Sequence, residues 1–265
     1  MLKRFLQSTY FTSISKNDID FLVDSNEIDY TMQPNKKLPI SIENDGLSDA
    51  VVAFAYKPLY SRETIEEKTK DELNRRFKSE FLFVPAPQNE ANKKANIKRF
   101  IANREFRIQF SEDMVMTNIV GRYAGWTRYG ELLQAIMEIL DGVTYKVAYV
   151  RYVSLFDNVS IFDQVEGGGL RITTLPDFQG TEFNFRCNIN DSENHNAVAT
   201  IRLTNNKVFP ERTASVVDIM VEAKLPNEST QTAWEYLHFL HYHEKKLFFL
   251  MMKEDFINHH NPVYD

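Results

Sequence analysis

Apolar and polar positions alternate through much of the second half of the chain. Period-two runs at 145–156, 170–175, 181–189, 197–203 and 215–221 predict strands, divided by turn chemistry such as Gly167-Gly168-Gly169 and Asn205-Asn206. Earlier in the chain, strands are expected at 38–42, 50–56, 81–84, 97–110 and 114–120. Asn44-Asp45-Gly46 separates the first two, and Pro85-Ala-Pro87 ends the third.

Helical periodicity appears three times. From Ser61, a plausible cap, to Lys78 a thin stripe of Ile65, Leu73 and Phe77 predicts a surface helix laced by Glu66/Lys70, Asp71/Arg75 and Glu72/Arg76 pairs. A second helix is expected from a Thr127 cap to the stop at Asp141-Gly142, with Leu132, Leu133, Ile136, Ile139 and Leu140 on one face. The last runs from Ser229 to Met252. Strands joined as hairpins and closed by a terminal helix predict an α+β fold of mainly antiparallel sheets. An N-terminal half (1–125) and a C-terminal half (126–265) describe its organisation, expected as one compact unit; whether the halves are related is left open.

The C-terminal helix carries the most informative departure from this pattern. Trp234, Leu237, Leu240, Leu247, Phe248, Met251 and Met252 span about half of its wheel, and His241 and Glu244 fall inside that arc, three residues apart. His238 and Lys245 sit at its edge, while His243 is expected on the opposite side. Two strands repeat the theme: Arg151 interrupts Val147, Tyr149, Val153 and Leu155, and Asp218 interrupts Val216 and Met220. Charges among apolar neighbours are costly alone and tolerable when paired. Arg151 and Asp218 are therefore expected to meet, with His241 or Glu244 as further members of one polar cluster.

Composition then narrows the chemistry. The 265 residues are 43% apolar and 26% charged, with 20 Phe and 12 Tyr, which excludes disordered and fibrous classes. A net charge of −6 gives no general attraction to phosphate backbones, which argues against nucleic acid. The one local exception is Lys93, Lys94, Lys98, Arg99, Arg104 and Arg107, read as a solvated loop leading into a strand. A lone Cys187 permits neither an internal disulfide nor a cysteine zinc site; together with the lack of a signal peptide or an apolar span, it points to the cytoplasm. No metal or cofactor site is expected: His243-Glu244 is followed by Leu247 where a zinc motif needs a second His, and the triple glycine lacks the Gly-Lys-Ser/Thr of a phosphate loop.

Several of these pieces together resemble a sporadically distributed family of prokaryotic proteins of similar length and unsettled function. They are Phe110-Ser111-Glu112-Asp113, Tyr123-Ala-Gly-Trp126, Arg151-Tyr152, Val217-Asp218-Ile219, and His241 followed by Phe248-Phe249, over roughly residues 80–265. Where the family shows Asn two places after the Arg-Tyr pair, this chain has Ser154. The resemblance implies an α+β fold, a cytoplasmic location and an association with mobile elements or conflict between cells and phage. Two functions follow as expectations. The first is a non-enzymatic binding or interaction protein, homo-oligomeric, with an unidentified protein partner. The alternative is a metal-dependent hydrolase or nuclease that gathers Asp218, Glu222, Lys224, His241 and Glu244 in one pocket.

Overall fold

A computed structural model describes residues 39, 41–42, 46–77, 79–121, 123–167, 170–171, 182–190, 195–226 and 229–264. Its elements in chain order are β1 (Ser41–Ile42), β2 (Leu47–Lys57), α1 (Arg62–Phe77), β3 (Leu82–Pro85), α2 (Glu90–Lys94), β4 (Arg99–Ala102), β5 (Phe106–Phe110), β6 (Met114–Ile119), α3 (Trp126–Ile139) and β7 (Thr144–Asp157). They continue with β8 (Glu166–Gly167), β9 (Leu170–Arg171), β10 (Glu182–Asn190), β11 (Asn196–Val208), β12 (Thr213–Lys224), α4 (Thr230–Met251), α5 (Glu254–His259) and β13 (Pro262–Val263).

Among the described residues, nine strands form one antiparallel sheet in the order β10-β11-β12-β7-β2-β6-β5-β4-β3, so the chain is α+β with mainly antiparallel sheet. β2 lies between β6 and β7, which carries the sheet without a break from residues before 125 to residues after 126. β1 pairs with β13, and β8 with β9.

The helices α1, α3 and α4 share one face of this sheet. Their apolar stripes meet Val52, Phe54, Ile108, Val115, Ala148, Val150, Ile219 and Val221, all buried, in a core filled by large rings. Tyr129 of α3 pins the middle strands: its hydroxyl accepts from the Val52 N–H (3.1 Å) and lies 2.7 Å from Thr117 Oγ1. Phe106 stacks on Tyr129, and Phe77 of α1 meets Phe106 edge-on. Because strand side chains alternate, residues of the other parity point to the opposite, far face.

The sequence-predicted elements and ion pairs needed several corrections. The single strand expected over 97–110 is two, β4 and β5, because Asn103 Oδ1 accepts from the Glu105 and Phe106 N–H groups and folds a turn there. α3 begins at Trp126 with Gly125 as its cap residue at φ 90°, so Thr127 lies inside the first turn. In α1, Glu66 turns inward to Arg99 (2.6 Å) rather than to Lys70, and Arg75 pairs with Glu72 rather than Asp71; Glu72–Arg76 forms as expected. Of the strand expected at 170–175, only Leu170–Arg171 lies within the described residues. The caps Ser61 and Ser229 form: each side-chain oxygen accepts from the N–H three residues on.

Candidate functional site

The four expected site residues do not form one cluster. The sheet divides them. Arg151 on β7 and Asp218 on β12 point to the far face, whereas His241 and Glu244 on α4 lie over the helix-bearing face, against Tyr152. Neighbouring residues of a strand face opposite ways, so Arg151 and Tyr152 open onto different sides. Glu222 shares the parity of Asp218 and also faces away from α4. The five groups of the hydrolase reading therefore do not converge, and among the described residues no three His, Cys, Asp or Glu side chains gather closely enough to hold a metal ion.

On the far face, the Arg151–Asp218 pair forms as expected. Arg151 donates through Nε to Asp218 Oδ1 (2.8 Å) and through a terminal nitrogen to Oδ2 (2.7 Å), a two-pronged carboxylate clamp. This bond and the Asp218 charge hold the guanidinium above its ordinary pKa despite burial. The pair is the centre of a longer belt. Cross-strand registers set Arg107 beside Asn118, Asn118 beside Val51, Val51 beside Arg151, and Asp218 beside Arg202. Asp49, two residues before Val51, accepts from Asn118 Nδ2 at 3.2 Å. Positive and negative groups thus alternate across six strands as Arg107, Asp49, Arg151, Asp218 and Arg202, with the Asn118 amide between the first two. Burial lifts the Asp49 carboxyl above the usual carboxylate range, although Asn118, Arg107 and Arg151 all oppose it. Burial likewise lowers Arg107, whose charge Asp49 supports. Along β7 this face stays half-exposed at Val147, Tyr149, Val153 and Leu155, while the parity facing α4 is buried at Ala148 and Val150.

On the helix-bearing face, a relay of rings joins three elements. The Tyr123 and Tyr152 hydroxyls are 2.8 Å apart, and the Tyr152 hydroxyl lies 3.1 Å from His241 Nδ1. Trp126 stacks on the His241 imidazole with centroids 4.0 Å apart, and its Nε1 donates to His238 Nδ1 at 3.3 Å. Burial, with Lys245 and His238 nearby, pushes His241 down to about 3, so the ring is neutral at pH 7. Burial holds Tyr152 well above 10. With both groups neutral, the Tyr152 hydroxyl and His241 Nδ1 share a single proton between them, whichever imidazole tautomer is present.

Glu244 follows one turn later, 3% exposed. Burial raises its carboxyl well above 4.5 against the weaker pull of Lys245, which favours the protonated form. His243 corrects the wheel: it is buried, 4.5 Å from the Phe239 ring, because α4 packs on both sides of the expected arc. Tyr236 and Phe239 on that flank meet His195.

Asp49, Arg107 and Asn118 were not among the expected site residues. The expected strand started at Ala50, one residue too late to include Asp49. Arg107 was counted in the basic stretch, and Asn118 is a lone amide inside an apolar run, a signal that parity could have exposed. The basic stretch itself disperses. Arg99 is committed to Glu66 and Glu67 on the helix-bearing face, Arg107 faces the other way, and Lys93, Lys94, Lys98 and Arg104 are separately exposed.

A shallow cleft of about 280 Å³ lies elsewhere, lined by Gly46, Leu155, Phe156, Asp157, Val159 and His260. None of the expected site residues reaches it. Compared with protein-family models and with curated proteins, the chain matches none of them at a significant level.

Proposed function

We propose that the chain is a cytoplasmic, non-enzymatic interaction protein whose partner is another protein. One observation carries this reading: the ionisable groups that looked expensive in the sequence already hold positions in the fold. Arg151 spends two donors on Asp218, and His241 gives Nδ1 to Tyr152. One pair ties β7 to β12, and the other ties β7 to α4. No helix among the described residues is long and apolar enough to cross a membrane.

The surface best suited to the partner is the far face along β7, where half-exposed Val147, Tyr149, Val153 and Leu155 flank the charge belt. Its alternating signs favour a protein surface of matching alternation. A polyanion laid across the strands would meet Asp49 and Asp218 as well as the arginines.

The test is a photo-crosslinking residue at position 149, used in cells, with one at exposed Lys68 as control. We expect a discrete adduct at 149 alone that disappears when Val147→Asp, opposite Lys224, is added, with the melting temperature unchanged. No adduct at 149, or one indifferent to Val147→Asp, refutes the far-face reading. A thermal shift with Mg²⁺, Mn²⁺ or Zn²⁺ that Asp218→Asn abolishes overturns the non-enzymatic reading in favour of the hydrolase.

A further inference from the structure

The two ends of the nine-stranded sheet differ in a way that bears on self-association. β3 is four residues long and ends on Pro85, which has no N–H to offer. Short, proline-terminated edges resist the addition of another strand. β10, at the other end, is nine residues long, contains neither Pro nor Lys, and keeps an unbroken register with β11. Among the described residues, no strand pairs with its outer side.

Around Asn184 the β10 sequence is complementary to itself. When a copy is laid antiparallel about a two-fold axis through Asn184, Glu182 stands opposite Arg186 of the partner subunit, and symmetry repeats the pair. On the other side of the sheet, Phe183 meets Phe185 of the partner subunit. Centring the axis on Phe185 sets Glu182 against Asn188 and Arg186 against Asn184, and both charge pairs vanish.

The required groups are accessible. The Glu182 side chain is 48% exposed, with Arg202 at 3.4 Å, and that of Arg186 is 51% exposed, with Glu222 at 3.6 Å. Phe183 and Phe185 are half-buried at the rim of the core.

We infer that two copies of this chain join through β10, antiparallel about Asn184, into a symmetric dimer with one continuous sheet. The axis is perpendicular to the sheet, so both far faces point the same way and form one surface. The inference stands apart from the proposed partner surface: a monomer could still give the adduct at position 149, and a dimer could lack it.

Light scattering on the tag-free 265-residue chain should give twice 31.0 kDa at micromolar concentration. Asn184→Cys should form an intermolecular disulfide on mild oxidation, because that residue faces its own copy. Asn188→Cys and the wild-type protein with Cys187 should not. Phe185→Lys should yield a single-chain mass with an unchanged circular dichroism spectrum. If that variant does not fold, the contrast between positions 184 and 188 decides alone. A single-chain mass for the wild type, or cross-linking at 188 as efficient as at 184, overturns the inference.

Discussion

Glu244→Gln isolates the pH dependence of a buried carboxyl, because glutamine keeps the shape of the side chain and removes its titration. Glu244 has its pKa raised in the fold, whereas its unfolded-state value is near 4.5. A raised value means that the folded chain keeps a proton which the unfolded chain releases. The associated stability is fully present below 4.5 and is lost as pH climbs toward the elevated value, at about 1.4 kcal/mol per pH unit.

His241, one turn away, acts in the opposite sense. Its pKa falls from 6.5 to about 3, so its contribution is present above 6.5 and is lost on acidification toward 3. Between 4.5 and the lower of 6.5 and the raised Glu244 value, the two slopes oppose each other in the native protein. The Gln variant removes one of them, so its stability should rise with pH through that interval while the wild type stays flatter. Urea unfolding of both proteins at pH 4, 5, 6, 7 and 8 gives the difference directly, and exposed groups cancel in it. We expect near equality at pH 4 and a growing advantage for the variant above pH 5. A difference that stays constant with pH would show that Glu244 ionises normally and would refute the reasoning.

Further expectations follow from the same contacts. Asp218→Ala strands the Arg151 guanidinium and should cost about 2–4 kcal/mol, whereas Arg151→Met with Asp218→Leu should cost less than either single change; a double-mutant cycle by urea unfolding checks this. Tyr129→Phe removes the hydroxyl that accepts from the Val52 N–H and donates to the Thr117 carbonyl, for a loss of about 1–3 kcal/mol by the same method. The His241 imidazole should stay neutral in NMR titrations from pH 7 down to the acid unfolding transition, whereas an ordinary histidine titrates near 6.5. Gly46 occupies φ +61°, and a Cβ there would collide with the Leu155 carbonyl, so Gly46→Ala should lower the melting temperature by several degrees.

The pattern along the chain was enough to determine the three long helices, most of the longer strands and the strongest pair within them. Period-two runs located β7, β10 and β12 to within three residues, helical period located α1, α3 and α4, and two out-of-place charges marked Arg151 and Asp218 as partners; β11 instead runs on to Val208, with Asn205-Asn206, expected as a turn, inside the strand where its register shifts. These features are legible because burial imposes a local periodicity on each strand and helix. What a local period lacks is the side on which distant elements assemble. Whether Arg151 and His241 share a face depends on which parity of β7 lies under α4, and the pairings of β7 with β2 and β12 decide that. The same pairings bring Asp49, Asn118 and Arg107 into line with Arg151 from strands up to 102 residues away in sequence. Likewise, His243 is buried on a second flank of α4, which it shares with Tyr236 and Phe239 and which packs against His195, a contact that a helical wheel drawn for one face does not contain. Tertiary contact alone made one presumed cluster into two, with a sheet between them.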